Sequence, residues 1–321
     1  MAGESSPVSE AGGSSGASET DDEPGGPFQR WVRTTIRDPQ RAYRAGFYVV
    51  MIFFLVTTLF PLYWLLVLAL TPNDAINNMG LLPKGFNPGS FVEIFQKLPF
   101  HWYMFNSFVL ALITTAIVLV LASLAGYVFG RFDFRGRGVL LLLILAISYF
   151  PPAAFLLPLF RLFTGNVRVL GLRSPMLFNT PGALFLPFSA LALPLSIFIL
   201  MTFYAQIPDG LEDAARVEGT TRLGALFRVI IPLSAPGVAT AAVLTFIWVY
   251  NEFFFSFLMT DGQAKNWAPI VWGILGYQGQ YSASYNLMAA ASLVGVLPIA
   301  ILVVVAQEKI VSGLTAGALK E

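Results

Sequence analysis

The chain has 321 residues, of which 56% are hydrophobic and only 12% charged, with a mean hydropathy of +0.70 and a net charge of +1. A soluble domain carries about a quarter charged residues because every side of it meets water, so this composition excludes one. With no cysteine, disulfides, iron–sulfur clusters and thiolate metal sites are excluded as well.

Residues 1–27 are mostly Ser, Gly, Glu and Asp, without a basic residue. Such a segment buries too little apolar area to offset its ordering entropy and is expected to be a disordered acidic tail. A basic juxtamembrane segment follows at 28–44, with Arg30, Arg33, Arg37, Arg41 and Arg44. The first apolar block, 45–70, begins too late and runs too long for a cleaved signal, so it reads as an uncleaved span. Five further blocks, at 108–129, 139–160, 183–204, 237–258 and 287–306, each approach the roughly 20 residues that a helix needs to cross a bilayer. Lipid offers the backbone no hydrogen-bond partner, so all six must be helical. The expected fold class is an all-α integral membrane protein: one six-helix transmembrane domain over 45–308 and a short tail over 309–321. The lone His101, in Leu98-Pro99-Phe100-His101-Trp102-Tyr103, reads as an interfacial residue among headgroup-seeking aromatics rather than a metal ligand.

Six spans put both termini on one side. If that side is the cytoplasm, thirteen Lys and Arg lie inside and six outside. The positive-inside rule therefore predicts cytoplasmic termini and a cytoplasmic loop between the fourth and fifth spans.

That loop, 208–232, is the most informative stretch. Asp209 and Glu212 have the spacing of a capping box, and Leu211, Ala214 and Ala215 then share one helical face. Gly219 suits a left-handed turn that ends the helix. Thr221 is positioned to cap a second helix, in which Leu223, Leu226, Phe227 and Ile230 follow an i, i+3, i+4, i+7 pattern and which Pro232 is expected to stop. An amphipathic hairpin of this kind is either a docking surface for a soluble partner or a pair of helices lying on headgroups, and its residues alone fit both.

The stretch Asp213-Ala214-Ala215, three residues, Gly219, nine residues, Val229-Ile230-Ile231-Pro232 resembles the EAA loop of binding-protein-dependent ABC importer permeases. Three positions depart from that pattern by close substitutions: Asp for Glu, Val for Ile and Ile for Leu. The resemblance implies a type I ABC importer permease bundle in the cell membrane, with 208–232 as a cytoplasmic coupling hairpin. It assigns ATPase coupling to Glu212, Asp213, Ala214, Ala215, Gly219, Leu226 and Pro232.

Further stretches resemble the carbohydrate branch of maltose type: Asn106-Ser107, Ala125-Gly126-Tyr127, Arg131 to Arg137, Pro151-Pro152 with Leu157 to Phe160, and Tyr250-Asn251-Glu252-Phe253. The tail is similar to that of the smaller maltose permease subunit, which implies an ATPase contact at Gly313, Thr315 and Gly317. The implied function is sugar import by alternating access, without enzymatic activity in this chain. The implied partners are a second homologous permease, two ATPase subunits, an extracytoplasmic binding protein, the sugar and the lipid membrane; nothing points to nucleic acid. No GxxxxGK[ST] loop occurs in the sequence, so ATP and Mg belong on the partner ATPase and no cofactor is expected here.

Polar and helix-breaking residues mark a translocation-path candidate: Trp248, Tyr250, Asn251, Glu252, Pro151 and Pro152. Asn251 and Glu252 interrupt the fifth apolar block, where a carboxylate needs a partner or water, and a structural knot is favoured over direct sugar contact. Pro151-Pro152 and Pro158 are expected to break the third helix. Two rivals remain: the same architecture importing a polyamine or an oxyanion, and an ion-coupled secondary transporter with Glu252 as its ion site.

Overall fold

The computed structural model describes residues 26, 39–169, 171–279 and 283–316, with side chains left undescribed at 39, 41, 42, 169 and 308–316. The expected acidic tail, apart from Gly26, and the segment 27–38 lie outside these residues. Two compact units part between Pro61 and Leu62.

Helix α1, Pro39–Leu70, crosses that division. In the first unit its described side chains are exposed, among them Phe47, Ile52, Phe53 and Phe54. An apolar stretch of helix with no buried side chain matches a lipid environment rather than water.

The second unit is built on α3, Phe100–Arg131, and α6, Gly182–Tyr204. Their close approach has a local cause. A Cβ on Gly126 would stand 3.0 Å from the Met201 amide nitrogen, and one on Gly130 would stand 3.0 Å from the Met201 carbonyl oxygen. Gly126 and Gly130 thus form the small-xxx-small stripe that lets two membrane helices meet backbone to backbone. Helix α9, Ala235–Tyr250, and helix α12, Tyr285–Ala316, complete the bundle. One core gathers Leu110, Phe188, Phe246, Tyr250 and Leu287; a second gathers Tyr127, Leu200, Tyr204, Leu226 and Ile230. Within the membrane region Ser196 and Thr245 join α6 to α9 by a hydrogen bond of 3.1 Å.

Among the described residues four helices are long and apolar enough to cross a membrane, and two bent pairs raise the number to six. Four of the six expected blocks lie in the four long helices; the fifth, expected at 237–258, divides after Tyr250, and the second bent pair joins Ala235–Tyr250 to Arg222–Leu233 instead. The third is not one straight span either. It divides into α4, Arg137–Ile147, and α5, Pro152–Phe163, bent by 82°. The break falls at 148–151, and Pro152 opens the second helix, where a missing N–H costs nothing. Pro158 lies inside α5 and does not break it, contrary to the sequence expectation.

Smaller elements cap the end of the bundle away from the 208–232 loop: α2, Ser90–Lys97; α10, Phe254–Met259; α11, Ile270–Leu275; and a two-residue β pair, Arg168–Val169 with Leu172–Arg173. The segment between α10 and α11 is tied to the start of α3. Asn106 Nδ2 donates to the carbonyls of Ala264 (2.7 Å) and Ala268 (3.0 Å), and Tyr103 donates to Gly262 (2.9 Å). The backbone of Ile270 donates to Ser107 Oγ at 2.8 Å.

Candidate functional site

The 208–232 loop is a helical hairpin. Helix α7 is Asp209–Val217, and α8 runs from Arg222 to Leu233. Gly219 adopts φ 92° between them, the left-handed turn expected of it, and nothing lies within 4 Å of where its Cβ would be. Thr221 caps α8 as expected, accepting from the Gly224 N–H at 3.1 Å.

The capping box does not form. Pro208 occupies the cap position without a side-chain bond, and both acidic residues turn to the end of α3 instead. Glu212 is 8% exposed. Its Oε1 accepts from the Tyr127 hydroxyl and its Oε2 from Arg131 Nε at 2.9 Å. Arg131 Nη1 also donates to the Ile207 carbonyl at 2.6 Å and lies 2.9 Å from Asp209 Oδ1. A buried carboxylate held by one guanidinium N–H and one tyrosine hydroxyl outcompetes a local cap, since an unpaired charge at this depth is far more costly than a missing cap. Above it the Arg222 guanidinium lies 4.6 Å from the centre of the Phe132 ring.

Helix α8 departs from the expected stripe as well. A π-turn at Leu226–Ile230 shifts its register, so Leu226 and Ile230 are buried while Leu223 and Phe227 are each 56% exposed. Pro232 does not stop the helix. It sits in the last turn, and the chain then bends by 84° into α9.

The residues assigned to coupling therefore divide. Asp213, Ala214, Gly219 and Pro232 are exposed, as are Leu211, Val217 and Phe227, and Ala215 is half-buried. Glu212 and Leu226 are buried and present nothing to a partner; any part they take in coupling runs through the chain's own helices. Gly313 and Thr315 lie in the final helix rather than in a separate tail, and Gly317 lies outside the described residues.

The second constellation is a cavity of about 470 Å³ lined by Pro151, Pro152, Trp248, Asn251, Glu252 and Phe253 among others. It unites five of the six residues suggested for a translocation path. Tyr250 is the exception: it is buried and donates to the Gly295 carbonyl at 3.0 Å. Asn251 and Glu252 do not interrupt a continuous span, because α9 ends at Tyr250 and α10 starts at Phe254. Glu252 creates that start. Its carboxylate accepts from the backbone N–H groups of Phe254 (2.7 Å), Phe255 (3.0 Å) and Ser256 (3.2 Å). These are the donors a helix N-terminus leaves unsatisfied, and an anion there is favoured. Asn251 donates to the Ile247 carbonyl at 2.9 Å, closing α9.

Residues 119–314 match the family described as binding-protein-dependent transport system inner membrane component. The chain belongs to that family. It is 38% identical over 268 residues to the sulfoquinovosyl glycerol transport system permease protein of Agrobacterium fabrum, covering 83% of this chain and 90% of that one. It is 35% identical to the trehalose transport system permease protein of Mycobacterium tuberculosis, covering 82% and 92%. It is 33% identical to the trehalose/maltose transport system permease protein of Thermococcus litoralis, covering 82% and 91%. The fold is that of a chain in the crystal structure of a bacterial ABC transporter that imports the acidic polysaccharide alginate, with a TM-score of 0.66, 18% identity and coverage of 84% and 97%.

The residues that sequence reasoning missed are Tyr127 and Arg131. The available signal was their i, i+4 spacing at the end of an apolar span, with Arg131 the first cation after it.

Proposed function

We propose that this chain is the permease subunit of an ATP-driven sugar importer. It works with a second permease subunit, two ATPase subunits and an extracytoplasmic binding protein, and its termini lie in the cytoplasm. The carrying observation is the hairpin, whose exposed face holds Asp213, Ala214 and Gly219 at the family's spacing on a folded, positive-φ turn. ATP binding on the partner ATPases draws the two hairpins together, the bundle opens outward, and the binding protein releases its sugar. ATP and Mg stay on those partners. The relatives' named solutes support a di- or oligosaccharide or a related glycoside as cargo.

The cavity at the break between α9 and α10 is the part of the path this chain supplies. Trp248 offers a ring face, and Asn251 lies beside it. Glu252 is engaged in holding α10, so its role there is to shape the wall, in keeping with a structural knot.

The test is affinity purification from native membranes, followed by uptake of labelled trehalose and maltose by proteoliposomes holding the recovered complex with its binding protein. Recovery of an ATPase and a second permease, with uptake that requires ATP, supports the reading. Uptake driven by an ion gradient without ATP would overturn it.

A further inference from the structure

We infer that Arg131 is the positioning residue through which the hairpin drives the bundle, and that its force enters the second span, α3, before the fifth. The inference rests on the permease reading above and adds the route of the motion to it.

Three observations carry it. First, Glu212 is held on both carboxylate oxygens by one face of one helix, Tyr127 on Oε1 and Arg131 on Oε2, one helical turn apart. The side chains of Arg131 and Glu212 are 4% and 10% exposed, so solvent does not loosen the pair. Arg131 also reaches Asp209 and the Ile207 carbonyl, so a single guanidinium grips the hairpin at two points and the residue leading into it at a third. A planar fork fixes direction as well as distance, which an ammonium does not.

Second, the other limb is tied to the same place. Arg222 stacks on Phe132, the residue after Arg131, and the Phe132 ring meets the Tyr127 ring edge-on at 5.3 Å. Both limbs therefore converge on residues 127–132.

Third, the forward connection is compliant where the backward one is stiff. The second limb carries a π-turn at Leu226–Ile230, and an 84° bend at Ser234 separates it from α9. A sharp bend interrupts the straight rod that would carry motion directly into α9, whereas a buried, fully bonded ion pair has one arrangement. The hairpin and the end of α3 move as one body, and α9 follows through a joint.

The experiment uses the complete transporter in proteoliposomes, recording trehalose or maltose uptake and ATP hydrolysis together. Arg131→Gln is expected to lower sugar imported per ATP hydrolysed by about tenfold or more, because it leaves a buried carboxylate without its charged partner. Arg131→Lys keeps the charge but not the fork and is expected to fall between. The double variant Arg131→Gln with Glu212→Gln replaces the ion pair by a neutral amide pair and is expected to recover a substantial share, a coupling that independent sites do not show. A ratio for Arg131→Gln within about twofold of the unmodified complex would overturn the inference. So would failure of Arg131→Gln, Arg131→Lys and the double variant alike to assemble, which would make Arg131 a folding residue only. If the unmodified complex neither hydrolyses ATP nor takes up sugar, the permease reading itself fails, and that result is separate from the other two.

Discussion

Gly126 and Met201 are in backbone contact across two spans: a Cβ at the glycine would stand 3.0 Å from the methionine amide nitrogen and 3.1 Å from the Leu200 Cβ. Neither neighbour is the flexible end of a side chain, so nothing there gives way cheaply. Gly126→Val is expected to destabilise the bundle by about 1–3 kcal/mol, the usual cost of overpacking. Thermal unfolding of the purified chain in detergent measures this. Gly138→Ala, where nothing lies within 4 Å, is the control and should be neutral or slightly stabilising. Equal melting of the two variants would show that α3 and α6 do not meet at Gly126.

At Gly219 the constraint is conformational rather than steric, since its φ is 92° and its surroundings are open. Substitution is expected to follow backbone tolerance: Asn best, Ala worse, Val worst, with a penalty of about 1–2 kcal/mol for Ala. Because the strain is local, the chain should still insert and fold while ATP-driven uptake declines in that order. Uptake that ranks the substitutions by side-chain volume instead would point to a contact with the partner.

Ala214 is exposed and Ala215 half-buried on α7. Ala214→Trp meets no neighbour within the chain that would oppose folding, so unfolding should be unchanged. Recovery of the ATPase with the affinity-purified chain is expected to fall by about tenfold, as a central residue of a close-packed interface demands. Retained ATPase at ordinary yield would move the docking face elsewhere on the hairpin.

Glu252 holds three backbone N–H groups at the start of α10. Glu252→Ala removes that acceptor and is expected to destabilise by about 1–2 kcal/mol, like the loss of a good cap. Glu252→Gln keeps one acceptor oxygen and should cost less. An ion-coupling carboxylate gives a different signature, full stability with abolished transport for both variants, so thermal unfolding combined with uptake separates the two roles.

Much of the architecture is legible in the sequence because hydropathy reports which residues meet lipid. The fourth block, expected at 183–204, is Gly182–Tyr204 in the structure. Gly219 and Thr221 were legible because each acts on its own backbone. The break at Pro151-Pro152 was legible for the same reason, but its 82° angle was not, since apolar character is continuous through Ile147 and Phe155 whichever way the chain turns. The role of Glu212 was hidden for another reason. Its spacing from Asp209 satisfies a local rule, and the partners that win are 85 and 81 residues away. The π-turn escaped because one added residue in a turn moves the buried face without changing composition, leaving Leu226 and Ile230 inside but Leu223 and Phe227 outside.

Helix α3 is fastened at both of its ends. Tyr103, Asn106 and Ser107 pin the 259–270 segment at one end, and Tyr127 and Arg131 pin the hairpin at the other. At 1.5 Å per residue its 32 residues make a rod of about 48 Å, longer than the hydrocarbon layer is thick. A tilt of about five degrees about its middle would carry each end through about 2 Å in opposite directions. Both ends of the bundle are thus fastened to one rod, as the pans of a balance are to its beam, and under the function proposed above a swing that draws one mouth shut carries the opposite mouth the other way.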